Sequence, residues 1–264
     1  MQKAKFKFAT AFGESRWKRI RNRHRRVSLK ADSQPPTASI AESGFAILRL
    51  GFLTVLFLIF ICQSALAHVI PYDLSKLSKA DVGWIYLKLG YTHILPNGFD
   101  HILFVLGIFF LNPKLKPVIW QATAFTVAHS ITLGLAMYGI IKPVSSIVEP
   151  VIALSIVFVA VENILSKQLK WWRILIVFCF GLIHGCGFAS ALSELGLPSN
   201  DYLLSLVSFN VGVEFGQISV ILLAFLLVGK WFGEKVWYRQ RIVMPVSFMI
   251  GTIALYWTIE RIFS

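Results

Sequence analysis

The chain has 264 residues, of which 56% are hydrophobic and 15% are charged, and its mean hydropathy is +0.68. A soluble domain carries about 25% charged residues, so the composition excludes an ordinary soluble globule and favours a polytopic membrane protein. The net charge of +13 does not indicate a nucleic-acid-binding protein, because 12 of the 26 Lys and Arg residues precede residue 50. The three cysteines show no paired spacing, which argues against a disulfide framework.

The first 67 residues divide into a basic tail and an apolar segment. Residues 1–43 are polar and rich in arginine, and they are predicted to form a disordered tail. Residues 44–67 hold a short basic flank, an apolar run at 50–61 and the ending Ala65-Leu66-Ala67. This pattern predicts a secretory signal peptide, with an uncleaved signal anchor as the alternative. In either case the chain that follows begins outside the cytoplasm.

Residues 68–98 are predicted to be a short external or interfacial segment. The stretch from Trp84 to Tyr91 is rich in aromatic residues, as is typical of a helix that lies at a membrane surface. Pro96, Asn97 and Gly98 then predict a turn that leads into the first membrane span.

Residues 99–264 predict an all-α domain of six transmembrane helices. Each apolar segment approaches the ~20 residues that a bilayer requires, and the segments lie at about 99–112, 117–141, 144–165, 171–192, 202–228 and 242–263. Nine Lys and Arg residues fall on one side of this topology and five on the other. The positive-inside rule places the richer side in the cytoplasm. The sequence therefore predicts a multi-pass protein of the bacterial cytoplasmic membrane, with the mature N-terminus outside.

Ionisable side chains recur within or beside these apolar segments. Such a group costs about 2.5–3.5 kcal/mol on insertion scales, so it persists where it faces a partner, a cavity or an ion. Imidazole suits Zn, Cu, Fe and Ni, and the absence of a thiolate pair argues against a site for soft metals. The candidate metal ligands are His93, Asp100, His101, His129, His184 and Glu214.

A second set of polar residues is predicted to line a transport path. These residues are Glu149, Glu162, Asn163, Asn210 and Gln217. Each of them taken alone has a structural alternative, because amides and histidines within a membrane commonly form hydrogen bonds between helices. Three histidines and two acids on separate spans are more than such bonding requires, which favours a functional site.

Several of these motifs together resemble the HupE/UreJ family of membrane proteins, which is associated with nickel and cobalt permeases. The resemblance covers about residues 90–220. It implies that His93, Asp100 and His101 recognise the metal. The motifs are His93 with Pro96-x-Gly98-x-Asp100-His101, Thr123 to Ser130, Val161-Glu162-Asn163, Gly181 to Gly185, and Phe209 to Gln217.

The predicted function is secondary uptake of a divalent transition metal, nickel or cobalt, with zinc as a further possibility. The chain has no GxxxxGK[ST] motif, so ATP-driven pumping by this chain alone is not expected. The expected partners are the metal ion as substrate and the lipid bilayer, with no nucleic acid; a homo-oligomer is left open. The alternatives are an intramembrane zinc hydrolase that uses the same His/Asp cluster, and a structural or assembly subunit.

Overall fold

The computed structural model describes residues 78–194 and 201–264. The predicted tail at 1–43, the signal or anchor segment at 44–67 and the beginning of the predicted segment 68–98 lie outside the described residues. The described part is all-α, with no strand. Its helices are α1 (Lys79–Ile94), α2 (Phe99–Leu111), α3 (Leu115–Met137), α4 (Ser145–Leu165), α5 (Arg173–Glu194), α6 (Tyr202–Ala224) and α7 (Met244–Phe263).

Two of these helices are extended by π-helical turns. Helix α6 continues through the turn Phe225–Gly229 to Lys230–Phe232, so the helical rod runs for 31 residues. Helix α7 is preceded by the turn Arg239–Val243. Tyr238, just before this turn, is buried and donates a hydrogen bond of 3.2 Å to the carbonyl oxygen of Phe110. Burial raises the pKa of Tyr238, so its hydroxyl keeps the donated proton.

Helices α1 and α2 are the two halves of a bent segment. Ser78 caps α1 by accepting a 3.2 Å hydrogen bond from the backbone N–H of Asp81. Pro96 disfavours helical geometry in the residue before it, so α1 ends there, and α2 starts after Gly98 at an angle of 66° to α1. At 13 residues α2 is only about 20 Å long, too short to cross a ~30 Å hydrocarbon core alone.

The bent pair follows α6 along most of its length. At its start, Lys79 lies 3.8 Å from Asp201, just before α6. Further along, Ile94 packs against Gly216, and Phe109 packs against Gly229 in the extension of α6. Contacts therefore advance in the same direction on both partners, as expected for one broken span rather than a loop that returns to its starting face.

Close backbone approach holds α1 against α6. A Cβ atom at Gly90 would overlap the carbonyl oxygen of Phe209, and one at Gly212 would overlap that of Leu87. Small residues allow such approach between membrane helices. The helix at residues 79–94, predicted as a surface segment, is thus packed lengthwise on the bundle.

The remaining helices form two more pairs. Helices α3 and α5 run parallel, since Gly181 packs on Phe125 and Gly185 on His129. Helices α4 and α7 run antiparallel, since Arg261 contacts Glu149 and Ser247 contacts Asn163. We call the side where α4 begins and α7 ends the Asp100 side. The opposite side, where α4 ends and α5 begins, is the Arg173 side.

Over the described residues, the structure gives four or five candidate membrane spans, where the sequence predicts six. Four helices in the described part are long and apolar enough to cross a membrane, and the bent pair makes a fifth if it is one span. Within α5, the part Arg173–Ala189 counts as apolar helix but is shorter than a membrane span requires. The bundle exposes large apolar side chains to its surroundings, including Leu154, Phe158, Leu223, Phe248 and Leu255. An exterior of this kind is typical of a multi-pass membrane protein.

Candidate metal centre

Three histidines from three helices converge near the bend between α1 and α2. His93 lies in the last turn of α1, His101 in the first turn of α2 and His129 within α3. One ring nitrogen from each lies within 4.8 Å of the others. The Nε2 atom of each is buried and has no hydrogen-bond partner among the described residues. We call these residues the histidine triad.

The proton on His129 is placed by Asn210 of α6. Asn210 donates from Nδ2 to the carbonyl oxygen of Leu206 at 2.8 Å, so its Oδ1 is the atom that lies 3.2 Å from Nδ1 of His129. An amide oxygen only accepts, so Nδ1 of His129 carries the proton. The lone pair is then on Nε2, which is buried without a partner among the described residues. Orientation of a ligand imidazole by an outer hydrogen bond is common at metal sites.

His184 of α5 lies beside the triad, and a similar argument places its proton. The hydroxyl of Ser155 donates to the carbonyl oxygen of Ile152 at 2.6 Å and lies 3.1 Å from Nε2 of His184. Because Ser155 donates its hydroxyl proton to Ile152, its oxygen must accept from His184. Nε2 of His184 is therefore the donor, and Nδ1 bears the lone pair. That Nδ1 is also buried without a partner. The rings of His184 and His101 are 5.0 Å apart.

Aromatic side chains surround the four histidines. Phe125 lies 4.9 Å from the ring of His184 and 5.6 Å from that of His101, while Phe188 lies 3.9 Å from His93. The phenyl rings offer no hydrogen bonds to water or to the imidazoles. They make the pocket apolar around a small number of lone pairs, which strengthens electrostatic interactions inside it.

The candidate ligand Asp100 is engaged elsewhere. Nη2 of Arg261, at the end of α7, donates to both carboxylate oxygens of Asp100 at 3.2 and 2.9 Å. Nη1 of the same arginine donates to the carbonyl oxygen of Glu149 at 3.2 Å, and the Glu149 side chain is exposed. A metal role for Asp100 stays a prediction, because Arg261 holds its carboxylate in this structure.

The candidate Glu214 lies on the face of α6 that meets α3, one turn beyond Asn210. Its Oε1 accepts a 2.6 Å hydrogen bond from Thr123, and its Oε2 is buried without a partner among the described residues. Gln217 lies 3.5 Å from the hydroxyl of Thr126 on the same interface. The structure thus places Glu214, a predicted metal ligand, and Gln217, a predicted path residue, between α3 and α6, beyond the triad.

The candidates Glu162 and Asn163 lie in a buried polar cluster on the Arg173 side. Nη1 of Arg173 lies 3.0 Å from Oε2 of Glu162, an ionic contact without hydrogen-bond geometry. Both terminal nitrogens of Arg173 donate to Oδ1 of Asn163 at 3.2 Å. Asn163 in turn donates to the carbonyl oxygen of Gly107 at 2.7 Å and to Ser247 at 3.3 Å.

Two arginines in these clusters were not predicted as site residues. The sequence pattern treats Arg173 and Arg261 as loop charges that set topology, yet Arg173 is 1% exposed and Arg261 is 23% exposed. Arg173 directly abuts an apolar run, which is the signal available in the sequence. Its pairing with Glu162 depends on how two helices pack, which the spacing of residues does not reveal.

Comparison with known proteins agrees with this architecture. The family model described as HupE / UreJ protein matches residues 71–261. That range includes the triad, His184, and both arginine–carboxylate pairs. No match was found among curated proteins or among solved structures. Since the model matches well over half of the chain, this chain belongs to the HupE/UreJ family, whose members are permease-like membrane proteins rather than enzymes.

Proposed function

We propose that this protein takes up a divalent transition metal, most favourably nickel or cobalt, across the bacterial cytoplasmic membrane. The observation that carries the proposal is the histidine triad, with three buried Nε2 atoms that lack hydrogen-bond partners among the described residues. A buried polar atom without a partner is costly. A metal ion bound by three lone pairs removes this cost for all of them.

The donor set and its dimensions suit such an ion. Imidazole nitrogen is a favoured ligand of nickel, copper and zinc. Metal–imidazole bonds measure about 2.0–2.1 Å, so two nitrogens on one ion are at most ~4.2 Å apart. The ring nitrogens of the triad are up to 4.8 Å apart, and small side-chain movements would shorten this separation to ~4.2 Å. Nδ1 of His184 is the next free lone pair beside the triad.

The proposed route runs from the Asp100 side to the Arg173 side. The Asp100 side faces outward, as the positive-inside rule predicts from the loops. The ion passes the triad and then the α3–α6 interface, where Glu214 and Gln217 offer oxygen atoms. In this proposal the chain crosses the membrane six times: α1 and α2 together form one broken span, and each of α3 to α7, including α5, forms one more. A membrane potential favours inward cation movement by ~2.3 kcal/mol per charge per 100 mV.

Family membership favours transport over the zinc-hydrolase alternative. Three histidines in a compact group would also suit a catalytic zinc with one open position. Asp100, the carboxylate next to His101 in sequence, is paired with Arg261, so it is not free to act as a general base beside such a zinc. The broken span beside the triad is instead typical of transporters, where discontinuous helices form the binding site.

The experiment is a comparison of metal binding and uptake in His101→Ala and the control Ser219→Ala. Among the described residues, Ser219 donates a hydrogen bond only to the carbonyl oxygen of Phe215 in its own helix and makes none to the triad. We expect His101→Ala to weaken Co(II) binding by purified protein at least about 100-fold, beyond what loss of an outer-shell partner produces. Nickel uptake into proteoliposomes should fall with it, while Ser219→Ala keeps both. Normal binding and uptake by His101→Ala would reject the proposed site.

A further inference from the structure

The Asp100–Arg261 pair lies at the start of α2, the helix that carries His101 of the histidine triad. Asp100 directly precedes His101 in the first turn of α2. The pair therefore ties a positive charge to the carboxylate that directly precedes a proposed ligand of the metal cation.

This ion pair is well formed yet accessible. Besides Asp100, Arg261 contacts the Glu149 carbonyl oxygen and lies 5.7 Å from the ring centre of Trp257. These contacts join the N-terminal ends of α2 and α4 to the C-terminal end of α7. The side chains of Asp100 and Arg261 nevertheless remain 26% and 23% exposed. Neither side chain is fully buried, so the pair separates without leaving a fully buried charge.

We propose that Arg261 is the gate of the metal site: its guanidinium acts as an internal cation on Asp100 that an arriving divalent ion must displace. The inference rests on the proposed function. Arg261 is a positioning residue here, since it touches Asp100 rather than the ion. When the pair opens, the released carboxylate attracts the ion and passes it to His101, the next residue along the chain.

Two consequences distinguish a gate from a structural link. First, only the fraction of molecules with an open pair binds metal, so the gate weakens the apparent affinity in proportion to that fraction. Second, the gate selects by charge. At equal distance a divalent ion interacts with Asp100 twice as strongly as a monovalent ion does. Sodium and potassium therefore compete with the guanidinium less effectively than nickel or cobalt.

The test is a Co(II) titration of purified protein, followed by visible absorption, in four variants. Arg261→Gln should bind Co(II) about fivefold or more tightly than the wild type, because the competitor is gone. In the Asp100→Asn background the same substitution should change affinity by less than about twofold, because that variant has no carboxylate for the loss of the arginine to release. Arg261→Lys should give an intermediate affinity, since lysine keeps the charge but lacks the second guanidinium nitrogen that holds the side chain on the Glu149 carbonyl oxygen.

Each possible result decides the matter. Unchanged or weaker binding in both folded Arg261 variants would overturn the gate, even with a functional triad. Equal tightening in the Asp100→Asn background would also overturn it, because the arginine charge would then act on the triad directly. If Arg261→Gln does not fold, Arg261→Lys alone decides: tighter Co(II) binding than in the wild type supports the gate, and unchanged or weaker binding overturns it. Absence of Co(II) binding by the wild type would reject the proposed function and the gate together.

Discussion

Two arginine–carboxylate pairs flank α2, and they differ mainly in burial. The N–O distance is 2.9 Å for Arg261–Asp100 and 3.0 Å for Arg173–Glu162. The side chains of the first pair are 23% and 26% exposed, whereas those of the second are 1% and 7% exposed. The same chemistry therefore stands in two environments, at the two sides of the helix that carries His101.

The difference in burial separates a pair that opens from a pair that anchors. An ion pair near the surface contributes about 1 kcal/mol or less and separates readily. Removing one partner of a buried pair strands a charge and costs about 3–5 kcal/mol. The Arg173 pair is also tied through Asn163 to the carbonyl oxygen of Gly107 in α2. Movement of α2 is therefore expected at the Asp100 side, with the Arg173 side as its fixed point.

The largest expected effect is the loss of stability in Arg173→Met. This change leaves Glu162 buried without its cation, so we expect the free energy of unfolding to fall by about 3–5 kcal/mol. The matched change Arg261→Met should lower it by no more than about 1 kcal/mol. Reversible unfolding in mixed detergent micelles, followed by tryptophan fluorescence, measures both.

A double variant checks the cause of that loss. Adding Glu162→Gln to Arg173→Met removes the stranded charge, so more than half of the lost stability should return. Equal losses in Arg173→Met and Arg261→Met would show instead that burial does not separate the two pairs.

The next effect is a stability difference between two glycine variants of α1, which tests whether α1 is held tightly on α6. Helix α1 meets α6 through backbone at Gly90, where an added Cβ would overlap the Phe209 carbonyl oxygen. At Gly83 in the same helix, the nearest atom would be the Ser208 hydroxyl oxygen at 3.5 Å, an ordinary contact. Gly90→Ala should therefore lower the free energy of unfolding by about 1–3 kcal/mol through overpacking. Gly83→Ala should change it by less than about 0.5 kcal/mol.

The same unfolding measurement compares the two glycine variants. If Gly90→Ala is as stable as Gly83→Ala, α1 is not held tightly on α6, and opening at the Asp100 side need not be confined to the contacts of Arg261. A clear difference leaves opening to the contacts of Arg261 rather than to the contact between α1 and α6.

Much of the helical architecture follows from local features of the sequence. Long apolar runs predict the positions of α3 to α7, and Pro96 with Gly98 predicts the break before α2. The membership of α1 in the bundle is harder to see, because Lys79 and Lys88 give it the mixed polarity of a surface helix. The decisive feature is the pairing of Gly90 with the backbone of α6, which no pattern within α1 reveals.

The candidate site shows a similar division. The presence of His101 and His129 in apolar helices predicts that they need partners, because an unpaired ionisable group in a membrane is costly. The identity of those partners is a tertiary property. Asn210 contacts His129 across 81 positions of sequence, and Arg261 contacts Asp100 across 161. Arginines near helix ends are counted only as loop charges that set the topology. That count does not consider burial, so it misses arginines that pair with buried or partly buried carboxylates.

The smallest expected effect is a difference in salt sensitivity between the two pairs. At 0.5 M NaCl the Debye length is about 4 Å, against about 14 Å at 0.05 M. Salt reaches the partly exposed pair, so the stability difference between wild type and Arg261→Met should shrink towards zero over this range. The difference for Arg173→Met should persist, because a pair that is 1% and 7% exposed is screened much less. If the two differences fell in parallel, the Arg173 side would be as accessible to ions as the Asp100 side, and α2 would lack a fixed end.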